Sequence, residues 1–309
     1  KQIITGELVR DWLPQRDSDG HKGTFGHLLV VGGSEGMTGS VTLAGTAALR
    51  AGAGMVTIAL PKSISSIVET KTLEVMTKPL AETEDHTIST EALPNLLALS
   101  RKMKAVVIGP GLSRNTSSAD LVLDYLKQLE IPAVVDADGL AALAKETDFI
   151  AQLKIPLVLT PHPGEMASLM NLTIDQVQKD RLIVAKACAK KYRAYTILKG
   201  SKTIIASPEG QIYLNVGGNS GMATAGSGDV LAGMVGSFLA QGLAPLKACV
   251  CGVYMHSMAG DLAAGDLGER SLVAGDLIFY FYRAFGHLFS NNLSNNNGTI
   301  KFQHLVKIY

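Results

Sequence analysis

The residues best suited to chemistry lie at the end of a glycine-rich segment and are Gly226-Ser227-Gly228-Asp229. An apolar helix is predicted to follow from Val230. Glycines at a helix start leave several backbone N–H groups unpaired, and the helix dipole adds about half a positive charge there. The segment therefore predicts a phosphate site. Asp229 has two interpretations: a general base that takes a proton from a hydroxyl attacking phosphorus, or an acidic residue that complements the helix dipole.

A second motif, Thr-Pro-His-Pro-Gly-Glu at residues 160–165, ends a predicted strand and begins a helix. His162 and Glu165 are therefore expected at the carboxyl edge of the sheet, where open α/β folds bind ligands. Near phosphates, Glu165 would suit a magnesium ion held through water, because magnesium keeps several waters and takes few carboxylates. Alternatively, Glu165 faces the helix dipole and His162 is a core histidine.

A third segment follows another predicted strand and consists of Lys199, Gly200, Ser201, Lys202 and Thr203. These residue types can bind a nucleotide's phosphates or base edge, although a solvated charged turn is the alternative. Similar loops at 109–111 and 136–139 follow two more strands. Because strand ends of one parallel sheet meet in one crevice, the loops together predict a shared ligand site. The adjacent glycines Gly32 and Gly33 do not fit the dinucleotide fingerprint G-x-G-x-x-G.

The composition narrows the class of partner. The chain has 309 residues, of which 47% are hydrophobic and 18% charged, with 28 basic and 27 acidic residues. High hydrophobicity with almost no net charge excludes a disordered chain. The balanced charge and the lack of a basic patch argue against nucleic acid and membrane surfaces. A small molecule is the expected partner.

The secondary-structure pattern alternates short apolar runs with helix-like segments. Predicted strands are 27–31, 55–60, 105–108, 132–135, 156–160 and 195–199, followed by a hairpin at 202–206 and 211–215. Predicted helices are 40–51, 117–129, 174–192, 221–241, 246–264 and one from about 273. Nearly all-apolar strands are typical of a parallel sheet covered on both faces. The predicted fold is α/β, with a mostly parallel sheet, helices on both faces and the hairpin at the sheet edge.

We expect one domain at 1–284 and a polar, flexible tail without a catalytic role at 285–309, where asparagine and serine cluster. Charged residues interrupt the N-terminal segment, which argues against a secretion signal, and no apolar stretch is long enough for a membrane span. Cys188, Cys249 and Cys251 are expected to be buried thiols. The chain is expected to be a cytoplasmic protein.

These segments, in this order, resemble the ribokinase-like superfamily and, within it, the ADP- or ATP-dependent NAD(P)H-hydrate dehydratases. The matching pieces are 21–26, 32–40, 109–112, 136–140, 160–165, 198–200 and 226–229, and the resemblance covers about 21–278. The Gly-x-Gly-Asp motif marks the superfamily, whereas the motif at 160–165 with the early glycines is typical of the dehydratases. Family members often have threonine where this chain has Ser227, which keeps the hydroxyl. Residues 279–309 match no part of the family pattern.

The resemblance implies repair of hydrated NADH or NADPH. A nucleotide, ADP or ATP, phosphorylates the hydroxyl on the hydrated nicotinamide ring, and loss of phosphate restores the reduced dinucleotide. By the same resemblance, Asp229 is the catalytic base and contacts the hydrated dinucleotide together with Ser40, Gly111 and His162.

The resemblance also assigns the co-substrate and the metal. Gly226 and Gly228 would bind the transferred phosphate, and residues 199–203 the adenine nucleotide. Glu165 would help to position Mg²⁺, and the assembly would be a homo-oligomer, by family a tetramer.

Two other functions fit parts of the pattern. A small-molecule kinase of the same superfamily, acting on a hydroxyethylthiazole, hydroxymethylpyrimidine or pyridoxal, would keep Asp229 and the phosphate site but release a phosphorylated product. A non-catalytic nucleotide-binding regulator would need a signalling module or a long surface helix, and the sequence indicates neither.

Overall fold

The computed structural model describes residues 1–14 and 16–290. One ten-stranded sheet runs through this part of the chain. Its strands are β1 Gln2–Ile3, β2 His27–Val31, β3 Met55–Pro61, β4 Met76–Leu80, β5 Ala105–Ile108, β6 Ala133–Val135, β7 Leu157–Leu159, β8 Tyr195–Leu198, β9 Ile204–Ala206 and β10 Ile212–Leu214. Their order across the sheet is β1-β10-β9-β8-β7-β6-β5-β2-β3-β4. Only the pairings of β9 with β8 and β10 are antiparallel, so the predicted mostly parallel sheet is confirmed.

Twelve α-helices of the described residues surround the sheet. They are α1 Gly6–Trp12, α2 Thr38–Arg50, α3 Ser65–Glu69, α4 Leu93–Ser100, α5 Thr116–Gln128, α6 Asp138–Leu143, α7 Pro163–Met170, α8 Ile174–Lys179, α9 Arg181–Tyr192, α10 Ser227–Ala240, α11 Pro245–Leu267 and α12 Ala274–Ser290. None of these helices has the length and hydrophobicity needed to cross a membrane.

Each face of the sheet has its own hydrophobic core. Along β2, Leu28 and Val30 pack on one face and Leu29 and Val31 on the other, and all four are fully buried. Helices α1–α3 and α10–α12 cover the first face, and α4–α9 cover the second. This two-sided burial explains why central strands such as β5, β6 and β7 are apolar at every position instead of at alternate positions. The three cysteines are buried and free, as predicted.

The order in which the chain adds strands to the sheet reverses between β2 and β5. After β2 the chain adds β3 and β4 on one side, and it then returns to add β5 through β8 on the other. The loops after β2 and β5 are joined there, since Gly33 N donates to Pro110 O at 2.9 Å and Ser34 Oγ to Gly111 O at 2.9 Å. Such a switch point is where open α/β sheets form a ligand crevice.

Several element boundaries differ from the predicted ones. The hairpin β9–β10 lies at the expected end of the sheet, but β1 pairs outside β10 and forms the edge itself. The predicted helix 174–192 divides into α8 and α9 at Asp180, whose φ of −131° is not helical. The predicted start at 221 is wrong because α10 begins at Ser227, after Gly226 with a φ of +87°.

The boundary of the polar tail also differs from the prediction. Helix α12 continues to Ser290, buries Ala284 and Leu288, and accepts at Leu288 O from Arg10 Nε of α1, so residues 285–290 extend the last helix. Its apolar face includes those positions, which favours helix over the predicted tail. The rest of the predicted tail, 291–309, lies outside the described residues.

Candidate active site

The first turn of α10 offers free backbone amides at the edge of the sheet. Gly226 precedes the helix in the left-handed region, and a Cβ at this position would lie 2.5 Å from Leu43 Cδ1, so only glycine fits without movement. Among the residues described, no side chain caps this helix. The amides of the turn remain available to an anion, as the glycine-rich sequence predicted.

Asp229 lies in that first turn and is partly buried. Burial and the charge of Asp136 raise its pKa, the side chains of Ser40 and Lys199 lower it, and the net value is about 6. Above that pH the carboxylate is ionised and can accept a proton. A raised pKa close to neutrality is typical of a general base.

Ser40 and Gly111 approach Asp229 from the neighbouring loops. Ser40 lies in the first turn of α2, and its side chain lowers the pKa of Asp229. Gly111 has a φ of +59°, and a Cβ there would lie 3.1 Å from Ser40 Cβ and 2.8 Å from Met37 O. The missing side chain lets the loop after β5 pack closely on the start of α2. Three of the residues predicted for substrate binding therefore meet at the switch point.

His162 and Glu165 are held together by the helix that they begin. His162 is the N-cap of α7: its Nδ1 accepts hydrogen bonds from the amides of Gly164 at 3.0 Å and Glu165 at 3.2 Å. Glu165 Oε2 in turn accepts from His162 N at 2.7 Å, which completes a capping box. The imidazole is about half exposed, so it is not a core histidine, and its remaining nitrogen faces solvent and Glu165.

Glu165 is the carboxylate that could help to hold a metal ion. Burial raises its pKa, the ammonium of Lys199, 3.8 Å from Oε2, lowers it, and the net value is about 7. The described residues form no group of three or more histidine, cysteine, aspartate or glutamate side chains suited to a metal. This arrangement fits magnesium, which is commonly held by one or two carboxylates, water and substrate phosphates. It does not fit a metal that needs a complete protein cage.

Lys199 turns inward from the end of β8. Its Nζ lies 2.7 Å from Asp136 Oδ1. A Cβ at position 228 would be only 3.3 Å from this nitrogen. Burial alone would lower the pKa of Lys199, but the carboxylates of Asp136 and Glu165 outweigh it and raise the pKa. A charged ammonium therefore faces the first turn of α10.

The rest of the predicted nucleotide segment lies farther along the loop. Gly200 has a φ of +142°, and a Cβ there would meet the Arg181 guanidinium at 2.8 Å. Ser201 and Lys202 are exposed, and Thr203 Oγ1 donates to Gly200 O at 3.1 Å. These three side chains are solvent-facing or bonded within the loop, whereas Lys199 joins the carboxylate cluster.

Two cavities open among the loops around the site. The larger, about 620 Å³, is lined by Ser113, Asp138, Leu140, Lys145, His162 and Glu165, among others. The smaller, about 510 Å³, is lined by Ser220, Ala223, Thr224, Glu269, Arg270 and Leu272, with Gly221. The first opens beside the capping box of α7, and the second beside the segment that leads into Gly226. Both volumes suit parts of small organic ligands.

Residues that had no predicted role complete the site. Asp136 is 1% exposed and accepts from Thr160 Oγ1 at 2.7 Å as well as from Lys199. Asp138 Oδ2 accepts from Ser113 N at 2.9 Å and lines the larger cavity. His256, buried in α11, contacts Ser227 O at 3.0 Å through Nε2, and burial lowers its pKa to about 4. The two aspartates follow β6, so their position at a strand end was the available signal.

Comparisons with known proteins show which family the sequence matches. The family model described as NAD(P)H-hydrate dehydratase matches residues 28–280. The chain is 49% identical over 278 residues to the bifunctional NAD(P)H-hydrate repair enzyme Nnr of Moorella thermoacetica. The matched residues are 90% of this chain and 52% of that protein. It is 38% identical over 267 residues to the ADP-dependent (S)-NAD(P)H-hydrate dehydratase of Neisseria meningitidis, covering 85% of this chain and 86% of that protein. The chain thus spans about half the length of its bifunctional relatives.

A solved structure shows the same likeness in three dimensions. The ADP/ATP-dependent NAD(P)H-hydrate dehydratase of Bacillus subtilis, co-crystallized with ATP/Mg²⁺, superposes with a TM-score of 0.81 at 30% identity. The match covers 93% of this chain and 98% of that one. The family model spans every element from β2 into α12, including all the loops that form the site. The chain belongs to the NAD(P)H-hydrate dehydratase family, as its resemblance implied.

Proposed function

We propose that this chain converts hydrated NADH or NADPH to the reduced dinucleotide at the expense of ADP or ATP. The observation that supports this most directly is the meeting of Asp229, Ser40 and Gly111 at the uncapped first turn of α10 in a chain of this family. A carboxylate with a raised pKa beside free amides suits proton removal next to a phosphate. The same turn without an acid would suit phosphate binding alone.

The proposed reaction begins with phosphoryl transfer. Asp229 takes the proton of the ring hydroxyl, whose oxygen attacks the terminal phosphorus of the nucleotide. The bond from that phosphorus to the bridging oxygen breaks, which releases AMP from ADP or ADP from ATP. The amides of the α10 turn, with Gly226 and Gly228, stabilise the negative charge of the transferred group. Magnesium, when bound near Glu165, would neutralise phosphate charge.

The second half of the reaction is elimination. Phosphorylation converts a poor leaving group into a good one, and the lone pair of the ring nitrogen expels the phosphate with its C–O bond electrons. A proton then leaves the adjacent ring carbon, and the ring double bond is restored. In sum the hydrated ring loses the elements of water, and the nucleotide loses one phosphoryl group as inorganic phosphate.

The two cavities suggest where each substrate binds. The hydrated dinucleotide is assigned to the larger cavity, because His162 lines it and Ser113 connects it to the loop of Gly111. The adenine nucleotide is assigned to the side of residues 220–224, because these residues line the smaller cavity and precede Gly226 in the chain, and its phosphates would lie towards Lys199. It stays a prediction that Ser201, Lys202 and Thr203 contact this nucleotide. A homo-oligomeric assembly, by family a tetramer, and a cytoplasmic location also stay predictions.

The deciding experiment mixes the purified protein with hydrated NADH or NADPH, Mg²⁺ and either ADP or ATP. Recovery of reduced-nicotinamide absorbance is the expected result, and it should stop when the metal is chelated. A lack of recovery with both nucleotides would reject the dehydratase function. Transfer of phosphate to a thiazole, pyrimidine or pyridoxal alcohol, without dinucleotide recovery, would instead support a kinase; nucleotide binding without turnover of either class would support a regulator.

The pH dependence of turnover should follow Asp229. Because burial raises its pKa to about 6, the base is protonated below that pH, and activity should rise as the pH increases through about 6. The measurement is kcat/KM for the hydrated dinucleotide between pH about 4 and 8 at saturating nucleotide. An acid limb near the ordinary aspartate value, about 4, would contradict the environment described for Asp229.

A further inference from the structure

Asp136 lies at the end of β6 beneath the first turn of α10. Its Oδ1 accepts from Lys199 Nζ and Thr160 Oγ1, each at 2.7 Å, and the residue is 1% exposed. A carboxylate this deeply buried is shielded from substrate. Its burial needs a partner cation, and Lys199 supplies it. Any effect of Asp136 on the reaction must therefore pass through that partner.

The ammonium of Lys199 lies where a bound phosphate would need a cation. A Cβ at position 228 would be 3.3 Å from Nζ and 3.8 Å from Asp136 Oδ2, so glycine at 228 leaves room for the pair under the α10 turn. An ammonium has three N–H donors, and the contact with Asp136 is its one hydrogen bond within residues 1–14 and 16–290. Two donors remain for a ligand at the same turn.

We propose that Asp136 is a positioning residue that holds the Lys199 ammonium against Gly228 for contact with nucleotide phosphate. The inference rests on the proposed function for its catalytic consequence. A lysine side chain has many rotamers, and a fixed carboxylate selects one of them. Without Asp136, the nearest remaining acid is Glu165 at 3.8 Å, the residue proposed to help hold magnesium. Lys199 would then leave the phosphate and neutralise Glu165.

The backbone beside Asp136 supports this assignment. Ala137 has φ +48° and ψ −122°, a conformation that a residue with a side chain rarely adopts. Asp136 N donates to Ile108 O at 3.1 Å, and Asp136 O accepts from Gly139 N at 3.0 Å. The strained turn thus lets Asp136 point under α10 while Asp138 lines the larger cavity. Strain that persists beside a candidate site is evidence for a demand on geometry.

The test is a double-mutant cycle of Asp136→Asn, Lys199→Met and the double variant. Calorimetry measures the Kd of ADP and ATP, and steady-state kinetics measure kcat and KM for the hydrated dinucleotide. Each single change is expected to weaken nucleotide binding about tenfold to 100-fold and to lower kcat, with the dinucleotide KM little changed. Because both act through one ammonium, the double variant should be no worse than Lys199→Met.

Two results would overturn the inference: Asp136→Asn binding nucleotide like the wild type, or losses that multiply in the double variant. If Asp136→Asn does not fold, Thr160→Val alone and with Lys199→Met replaces it, because Thr160→Val removes one hydrogen bond to Asp136 but leaves its ion pair with Lys199. The loss caused by Thr160→Val should then vanish in the Lys199→Met background. A coupled binding cycle in a protein that does not turn over hydrated dinucleotide would reject the proposed function and keep the inference. Turnover of the hydrated dinucleotide with an uncoupled binding cycle would support the proposed function and reject the inference.

Discussion

Asp229→Asn is expected to lower kcat for the hydrated dinucleotide by about 10³-fold, within the range of 10²–10⁴ that a positioned general base supplies. The amide keeps the shape of the carboxylate but cannot take the proton of the ring hydroxyl. Nucleotide binding should survive, because the amides of the α10 turn and the ammonium of Lys199 are unchanged. Single-turnover absorbance recovery and calorimetry with ADP measure the two quantities separately.

The matched control is Asp276→Asn, because Asp276 also lies in the first turn of a helix, where Oδ2 accepts from Val273 N at 2.9 Å. It makes the same change in charge at a helix start, at a residue that lines neither cavity, and turnover should stay near wild type. If Asp229 only complemented the helix dipole, both variants would keep activity and both would lose stability. An active Asp229→Asn enzyme would therefore remove the general-base role.

Stability should separate the two interpretations of Asp229 a second time. Its pKa in the folded protein is raised from 3.8 to about 6, so the folded state disfavours the ionised form. Above that pH the charge costs stability, and below the unfolded value it is absent from both states. The asparagine variant should consequently melt at a higher temperature than wild type at pH about 8 but not at pH about 4. Activity is then maintained at the expense of stability, as is common at catalytic sites.

The core of the fold was readable from the sequence because its strands are buried on both faces. Residues 105–108 are apolar throughout and residues 27–31 are apolar after His27, and these runs match β5 and β2 residue for residue. Strand β4 was missed because it is an edge strand with three exposed positions and Pro79 within it. Strand β1 has only two residues and is defined by its pairing with β10. Contacts between residues far apart in sequence determine whether such strands form, and the local hydrophobic pattern does not.

The site was predictable where chain position alone implies geometry. Strand-end reasoning placed Glu165 and Gly111 at one edge, the glycine-rich helix start pointed to Asp229, and the structure brings these loops together. It did not assign Asp136, because the partner that gives this residue its role lies 63 positions away at Lys199. It also did not identify His162 as a helix cap, since capping boxes usually begin with serine or threonine. An ion pair between residues at the ends of different strands, and a histidine cap, become visible only in the folded structure.

Gly109→Ala is expected to destabilise the protein by about 3–5 kcal/mol, a large share of the 5–15 kcal/mol typical of whole domains. Gly109 follows β5 with a φ of +124°, and a Cβ there would lie 1.8 Å from Asp136 O and 2.8 Å from Gly139 N. Both contacts are backbone atoms, which cannot rotate away as a side chain can. The turn after β6 would have to move, and Asp136 would carry Lys199 out of place. Urea unfolding measures the free energy, and nucleotide affinity below the melting temperature measures the displacement.

Gly36→Ala separates the two causes of this loss. Gly36 also has a positive φ, +78°, but a Cβ there would have nothing within 4 Å. Its substitution should therefore cost only the conformational strain of a left-handed residue, about 1–2 kcal/mol, with nucleotide affinity unchanged. If Gly109→Ala were no less stable than Gly36→Ala, the close approach of β5 and β6 would not be what requires glycine. If it were much less stable but bound nucleotide normally, the turn that holds Asp136 would not be coupled to the phosphate site.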